Sequence, residues 1–299
     1  MDLTPLCDGG PRLSPIAAGA WRLADWGWTA QQTLAWIEQC ADLGVSTFDH
    51  ADIYGGYSVE GLFGDALALQ PLLRDRLQIV TKCGIRPAVP ARPEHRINSY
   101  DSSGAHIVAS VEQSLRALRT DRIDLLLIHR PDWLMDVGEI ATAIDALKRA
   151  GKVLHFGVSN FSASQFALLD AATPLATNQI ELHPLHLAPL DDGTLDQAQR
   201  LSRRPMIWSP LAQGRLLAGD ESVAAQRVRW VLGSIAARLG CTPASVAFAW
   251  LLRHPSRPLP VAGSRRIKAL QEAVAARSLT LDAPTWYEIW QAGSGHQVR

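Results

Sequence analysis

Short apolar runs alternate with longer stretches of helical spacing along the chain, and turn residues separate the two. The apolar runs predict eight strands, over residues 16–20, 45–49, 77–83, 123–129, 153–159, 176–181, 206–209 and 259–262. In the fourth run, residues 125–128 are all Leu or Ile. Because this run has no polar alternation, it is typical of a parallel strand that is buried on both faces.

Helix start sites lie between the apolar runs. Thr29 precedes Gln32 by three residues, and Ser162 precedes Gln165 by three, which is the spacing of a capping box. The spacing of apolar residues between positions 103 and 119 predicts a helix with one buried face. Each predicted strand is therefore followed by a segment able to cross back over a parallel sheet.

Eight strand–helix alternations predict an α/β fold, a (β/α)8 TIM barrel in which residues 1–299 form one domain. Residues 3–13 contain the turn sequence Asp8-Gly9-Gly10, which predicts an N-terminal β-hairpin that closes the bottom of the barrel. Residues 222–239 and 283–292 predict two extra helices. Long irregular segments follow predicted strands at 86–103 and 211–220, where barrel enzymes have their functional loops.

Composition excludes several classes of protein. The chain has 29 Lys and Arg residues and 29 Asp and Glu residues, a balance that argues against nucleic-acid binding. No apolar run approaches the ~18 residues of a transmembrane helix, and the N-terminal residues lack the pattern of a signal peptide. The four cysteines are far apart, which indicates neither a disulfide framework nor a zinc site. We expect a cytoplasmic protein that acts on a small molecule, without membrane binding, as a monomer or weak homo-oligomer.

Polar side chains mark the ends of the predicted strands, at the barrel face where enzymes of this fold place their chemistry. In chain order they are Asp49, Lys82, His129, Ser159, Asn160, Gln179 and Ser209, and Tyr54 follows Asp49 by five residues. A phenol has a pKa of about 10, and a nearby ammonium lowers it by stabilising the phenolate. Such a phenol is suited to protonating a carbonyl oxygen, and a neighbouring imidazole would orient the carbonyl.

Eight segments of the chain resemble, in order and spacing, the aldo-keto reductase family. They are residues 48–55, 79–84, 123–129, 151–153, 156–161, 177–181, 208–211 and 260–264. The opening sequence Gly19-Ala20-Trp21-Arg22-Leu23 is similar to that of bacterial members. The resemblance implies an NADPH-dependent enzyme that reduces aldehydes or ketones to alcohols, with a small carbonyl compound as substrate and no metal.

The resemblance also implies residue roles. Asp49, Tyr54, Lys82 and His129 would be the catalytic tetrad, and Trp21, Tyr54 and His129 would contact the substrate. The expected cofactor contacts include Ser159, Asn160 and Gln179 at the nicotinamide carboxamide, Trp208 stacked on the nicotinamide ring, Ser209, Leu211 and Gly214 at the pyrophosphate, and Ser264, Arg265 and Arg266 at the 2′-phosphate. Gly19, Ala20, Trp21 and Asp49 are expected to contact the cofactor as well. The chain departs from the family with His50 in place of the common Thr, and with Ala269 and Ala273 near the adenine.

Two other functions remain open from the sequence. A metal-dependent barrel hydrolase would use His50, Asp52 and His129 as ligands, with Lys82 as a bridge or general base. A non-catalytic barrel would bind NADPH as a redox-sensing module. For the reductase, the tryptophans in the segment 21–28, namely Trp21, Trp26 and Trp28, predict an aromatic wall of the substrate pocket.

Overall fold

The computed structural model describes residues 2–298. Within that range the strands are β1 (Thr4–Pro5), β2 (Arg12–Leu13), β3 (Ala17–Gly19), β4 (Thr47–Asp49), β5 (Gln78–Cys83), β6 (Ile85–Arg86), β7 (Ser99–Tyr100), β8 (Ile123–Ile128), β9 (Val153–Ser159), β10 (Asn178–Glu181), β11 (Met206–Trp208) and β12 (Leu259–Ala262). The α-helices are α1 (Ala30–Asp42), α2 (Val59–Leu67), α3 (Gly104–Leu118), α4 (Val137–Arg149), α5 (Ala163–Asp170), α6 (Thr194–Arg200), α7 (Val223–Leu239), α8 (Pro243–Leu252), α9 (Ile267–Ala275) and α10 (Ala283–Ser294).

Eight of the strands close into a barrel in the order β3-β4-β5-β8-β9-β10-β11-β12, and every neighbouring pair is parallel. The predicted TIM barrel is therefore confirmed. The close approach of β9 and β10 requires a glycine, because a Cβ added at Gly157 would lie 2.8 Å from the carbonyl oxygen of Thr177.

Some strands are shorter than the sequence predicts. The predicted strand 45–49 begins only at Thr47, and the two preceding N–H groups bond outside the sheet. The N–H of Val45 donates to the carbonyl oxygen of Cys40 at the end of α1, and the N–H of Ser46 donates to Oγ of Ser14. The apolar run of the sequence therefore includes two residues whose N–H groups bond outside the barrel ladder.

Helices cover the outside of the barrel, as the apolar spacing predicts. The buried face of α3 contains Ile107, Val111 and Leu115, which pack in one cluster with residues of β8 and β9. The capping boxes predicted at the starts of α1 and α5 are both present. Both extra helices are confirmed as α7 and α10, and α10 continues two residues beyond its predicted end.

The N-terminal hairpin closes the end of the barrel opposite to the carboxyl ends of its strands. β1 and β2 pair antiparallel, and the side chains of Leu6 and Leu13 are fully buried. They pack in one cluster with Val80, Leu125 and Met206 from inside the barrel. The predicted bottom hairpin is confirmed, and only the opposite end of the barrel is left for a site.

The loop predicted to be irregular at 86–103 contains a short hairpin, in which β6 and β7 pair antiparallel. No single helix within residues 2–298 combines the length and apolar character needed to cross a membrane, although α7 and α8 together, with a bend of 94°, pass that test by length and composition.

Candidate active site

Three barrel strands bring the four predicted catalytic side chains together. Asp49 ends β4, Lys82 lies near the end of β5, and His129 directly follows β8. Nζ of Lys82 donates to both carboxylate oxygens of Asp49, at 2.9 and 2.8 Å, and lies 3.2 Å from the Tyr54 hydroxyl. Tyr54 packs edge-on against His129, with ring centroids 5.9 Å apart. The tetrad thus forms one contiguous group at the open end of the barrel.

Lys82 is a buried charge whose partners are all in place. Its side chain is 1% exposed, and its ammonium donates to Asp49 and to the carbonyl oxygen of His50 at 2.7 Å. Burial by itself lowers the pKa of Lys82, but the neighbouring Asp49 carboxylate raises that pKa above its ordinary value. The residue therefore remains an ammonium ion at neutral pH, directly beside the Tyr54 oxygen.

Tyr54 differs from the sequence-based expectation in one respect. Lys82 lowers the pKa of Tyr54, as the sequence predicts, but burial raises that pKa more strongly, so the net shift is upward from the ordinary value. Removal of water from the phenol disfavours its charged form more strongly than one adjacent ammonium favours it. Tyr54 is accordingly protonated at neutral pH and has a proton to donate.

His129 is neutral in this environment. Burial, together with the positive charges of Lys82 and Arg130, holds the pKa of the imidazole well below its ordinary value. A neutral imidazole has one N–H donor and one acceptor nitrogen. His129 is thus a neutral hydrogen-bonding group beside the phenol, suited to orienting a bound carbonyl oxygen.

Side-chain amides continue the site beyond the tetrad. Nε2 of Gln179 donates to Oδ1 of Asp49 at 2.7 Å, which couples the amide group to the tetrad. Asn160 donates to Oγ of Ser159 at 2.8 Å and accepts a hydrogen bond from Nε1 of Trp208 at 2.9 Å. One connected polar network therefore links β4, β9, β10 and β11.

A cavity of about 940 Å³ extends from the tetrad to the start of α9. The predicted site residues that line it are Gly19, Trp21, Asp49, Tyr54, His129, Ser159, Asn160, Gln179, Trp208, Ser209, Leu211, Gly214, Ser264, Arg265 and Arg266. Lys82 lies behind this surface. Residues of the tetrad and residues at the start of α9 therefore line one continuous cavity.

Two predicted pocket residues lie elsewhere. Ala20 is fully buried in the core, and its N–H donates to the carbonyl oxygen of Asp49, so its side chain does not reach the cavity. Trp26 lines the cavity, but Trp28 packs against Trp26 instead, with ring centroids 4.7 Å apart. The predicted aromatic wall therefore consists of Trp21 and Trp26, because Trp28 supports the wall from behind.

The far end of the cavity is positively charged. Arg265 and Arg266 immediately precede α9 and form no side-chain hydrogen bond or ion pair within residues 2–298. Two cations at a helix N-terminus are unfavourable alone, whereas a phosphate there is attracted by both arginines and by the helix dipole. The loop after β11 has left-handed backbone at Ser209, Gln213 and Gly214, which places main-chain groups along the cavity between the two ends.

The proposed metal ligands do not converge. The ring of His50 packs on Phe63 of α2, with centroids 4.5 Å apart, whereas His129 faces Tyr54 inside the barrel end. Among the described residues, no group of three His, Cys, Asp or Glu side chains is arranged to hold a metal ion. Burial lowers the pKa of His50 to about 3, so this residue is a neutral side chain packed between strand and helix.

The structure adds cavity residues that the sequence reasoning missed. Arg130 lines the cavity next to His129, Ile53 and Ile85 line it near the tetrad, and Arg22 lines it beside Gln213. Arg130 directly follows a strand-end residue that the sequence did identify. The pattern of polar residues at the strand ends therefore also predicts that Arg130 lies at this face of the barrel.

The chain matches the model of the Aldo/keto reductase family over residues 15–293. It is 50% identical to oxidoreductase YdhF of Escherichia coli over 97% of this chain and 96% of that protein. It is 42% identical to a 6-dehydroglucose reductase of Agrobacterium fabrum, over 96% of each chain. Its fold superimposes on the structure of a glycerol dehydrogenase from Gluconobacter oxydans with a TM-score of 0.83 and 23% identity, covering 96% of this chain and 94% of the other.

Proposed function

The chain belongs to the aldo/keto reductase family, and we propose that it is an NADPH-dependent enzyme that reduces aldehyde or ketone carbonyls to alcohols with Tyr54 as proton donor. The observation that supports this most directly is the contact of the Lys82 ammonium with the Tyr54 hydroxyl, 3.2 Å apart, beside the cavity. A phenol and a buried ammonium in contact are suited to proton transfer at one substrate oxygen.

Tyr54 donates its proton to the carbonyl oxygen as the carbon is reduced. The phenolate that forms is stabilised by the ammonium of Lys82, and Asp49 keeps that ammonium in place from the opposite side. His129 orients the carbonyl oxygen through its single N–H. Because burial raises the pKa of Tyr54, the phenol holds its proton until the developing oxyanion takes it.

NADPH, when bound, supplies the hydride. The residues that would hold its carboxamide are Ser159, Asn160 and Gln179; the amide nitrogen of Gln179 is already engaged by Asp49, which leaves its oxygen as an acceptor. Trp208 would stack on the nicotinamide, and Ser209, Leu211 and Gly214 would contact the pyrophosphate. Arg265 and Arg266 would bind the 2′-phosphate, so the enzyme should bind NADPH more tightly than NADH.

The test is Tyr54→Phe, which removes one oxygen atom and leaves the ring in place. The rate of aldehyde-dependent NADPH oxidation should fall by roughly 10²–10⁴-fold, since this is the usual contribution of a general acid. NADPH binding, followed by quenching of tryptophan fluorescence, should stay within about threefold of wild type, because Tyr54 gives up a proton but does not hold the cofactor.

Tyr57→Phe is the matched control, because Tyr57 lies three residues away and its ring faces Arg92, with the guanidinium 4.6 Å from the centroid. That variant should reduce aldehydes as wild type does. Full activity of Tyr54→Phe with NADPH bound would contradict the mechanism. Tight NADPH binding by the wild-type protein without reduction of any carbonyl compound would favour the redox-sensing module instead.

A further inference from the structure

Arg130 is a half-buried arginine on the wall of the cavity, beside His129. Its guanidinium lies 5.7 Å from the ring centroid of Trp208, and within residues 2–298 it makes no hydrogen bond and no ion pair. By contrast, the half-buried Arg203 pairs with Asp170, and the buried Arg74 pairs with Asp124 at 2.8 Å.

Carboxylates close to Arg130 are engaged elsewhere. Asp49 accepts hydrogen bonds from Lys82 and Gln179. Asp132, two residues further along the chain, accepts from the N–H and hydroxyl of Ser102 and from the N–H of Leu134. A partly desolvated guanidinium costs free energy unless it is paired. The face of Trp208 offsets part of that cost, but none of the five N–H donors of Arg130 has a protein acceptor within residues 2–298.

The position of Arg130 places this charge at the substrate end of the cavity. Arg130 directly follows His129 in the chain and lines the same cavity as Tyr54 and His129, and its positive charge contributes to lowering the pKa values of both. The arginines assigned to the cofactor phosphate, Arg265 and Arg266, are at the other end, beside α9. Because the charges of Asp49 and Lys82 cancel and His129 is neutral, Arg130 leaves the catalytic end of the cavity with a net positive charge.

We propose that Arg130 binds an anionic group of the substrate, so that the enzyme prefers carbonyl compounds that bear a carboxylate, sulfonate or phosphate a few bonds from the reacting carbon. The proposal rests on the proposed carbonyl reduction and specifies its substrate class. A guanidinium binds such groups through two parallel N–H donors, which fixes the direction of the substrate as well as its charge. Trp21, Trp26 and Ile85 give the remaining wall an apolar character.

The experiment compares pairs of substrates in which one member carries an anionic group and the other is neutral. We would measure kcat/KM for para-formylbenzoate and para-formylbenzamide, and for glyceraldehyde phosphate and glyceraldehyde, with NADPH. Wild type should prefer the anionic member by roughly ten- to hundredfold, the range of a charge-assisted hydrogen-bonded pair. The two pairs together distinguish a site for carboxylates from one for phosphates.

Arg130→Met should abolish the preference, chiefly through a higher KM for the anionic member, and Arg130→Lys should retain part of it. Arg149→Met is the charge-matched control, because Arg149 is exposed at the end of α4 and does not line the cavity. That control should keep the wild-type ratio. The ratio of the two kcat/KM values within a pair reports on the charge of the substrate, because any effect of Arg130 on Tyr54 changes both values equally.

A binding measurement decides the proposal independently of turnover. The alcohol product para-hydroxymethylbenzoate should quench tryptophan fluorescence of the NADP⁺-loaded wild-type protein at a concentration at least about tenfold below that for Arg130→Met. Equal kcat/KM for both members of each pair in wild type would overturn the proposal, as would one common loss for both members in Arg130→Met. A failure of the proposed reduction is distinct, because then the neutral aldehydes are not reduced either.

Discussion

Replacement of Lys82 by Met tests whether one ion pair serves both folding and catalysis. The substitution keeps the length of the side chain and deletes its charge. In the wild-type protein the ammonium lies 2.9 and 2.8 Å from the two oxygens of Asp49, and the side chains are 1% and 5% exposed. After the substitution, the Asp49 carboxylate stays buried with Gln179 as its remaining side-chain donor.

The expected loss of stability follows from that burial. Removing one partner of a buried ion pair costs about 3–5 kcal/mol, because the other charge is left without compensation. At roughly 2 °C per kcal/mol for a chain of this size, Tm should fall by about 6–10 °C. Carbonyl reduction should fall by roughly 10²–10⁴-fold in the protein that remains folded, since the Tyr54 phenolate loses its neighbouring cation.

A second substitution separates the two effects. In Lys82→Met/Asp49→Asn the uncompensated charge is gone, so urea unfolding should show that most of the lost stability returns. The rate of NADPH oxidation should stay as low as in the single variant, because the ammonium beside Tyr54 is still missing. Wild-type stability of Lys82→Met would refute the reasoning about the buried pair. Recovery of activity in the double variant would refute the assigned function of the ammonium.

Two further predictions concern the cofactor and the pH dependence of stability. Arg265→Ala/Arg266→Ala should weaken NADPH binding by about 2–4 kcal/mol and leave NADH binding nearly unchanged, and equal losses in a fluorescence titration would contradict the assignment. Burial raises the pKa of the Glu60 carboxyl group from 4.5 to about 6. Above pH 6 the ionised carboxylate therefore destabilises the folded state by roughly 2 kcal/mol, whereas well below pH 4.5 the group is protonated in both the folded and the unfolded state and has no such effect. Urea unfolding should therefore find Glu60→Gln more stable than wild type at about pH 8 and equal to it in acid, and a pH-independent difference would contradict this origin.

The elements of this fold follow from short stretches of sequence. The capping box of Thr29 and Gln32 and the left-handed glycine that ends α7, Gly240, depend on contacts within a few residues. The apolar run of β8 is also a local feature, because its composition alone indicates burial on both faces of the strand. Because the ends of parallel strands meet at one face of a closed barrel, the chain order also predicts which polar residues gather there.

Other properties of the site depend on contacts between residues that are far apart in the sequence. Gln179 and Asp49 are 130 residues apart in sequence and 2.7 Å apart in the structure, and Lys82 reaches Tyr54 across 28 residues. The net direction of the Tyr54 pKa shift depends on how much water the folded barrel removes, and not only on which charge is nearby. The unpaired state of Arg130 likewise follows from how every neighbouring carboxylate is oriented. Sequence identifies these groups, but their charge state and their partners are set by burial and packing, which exist only once the barrel has closed.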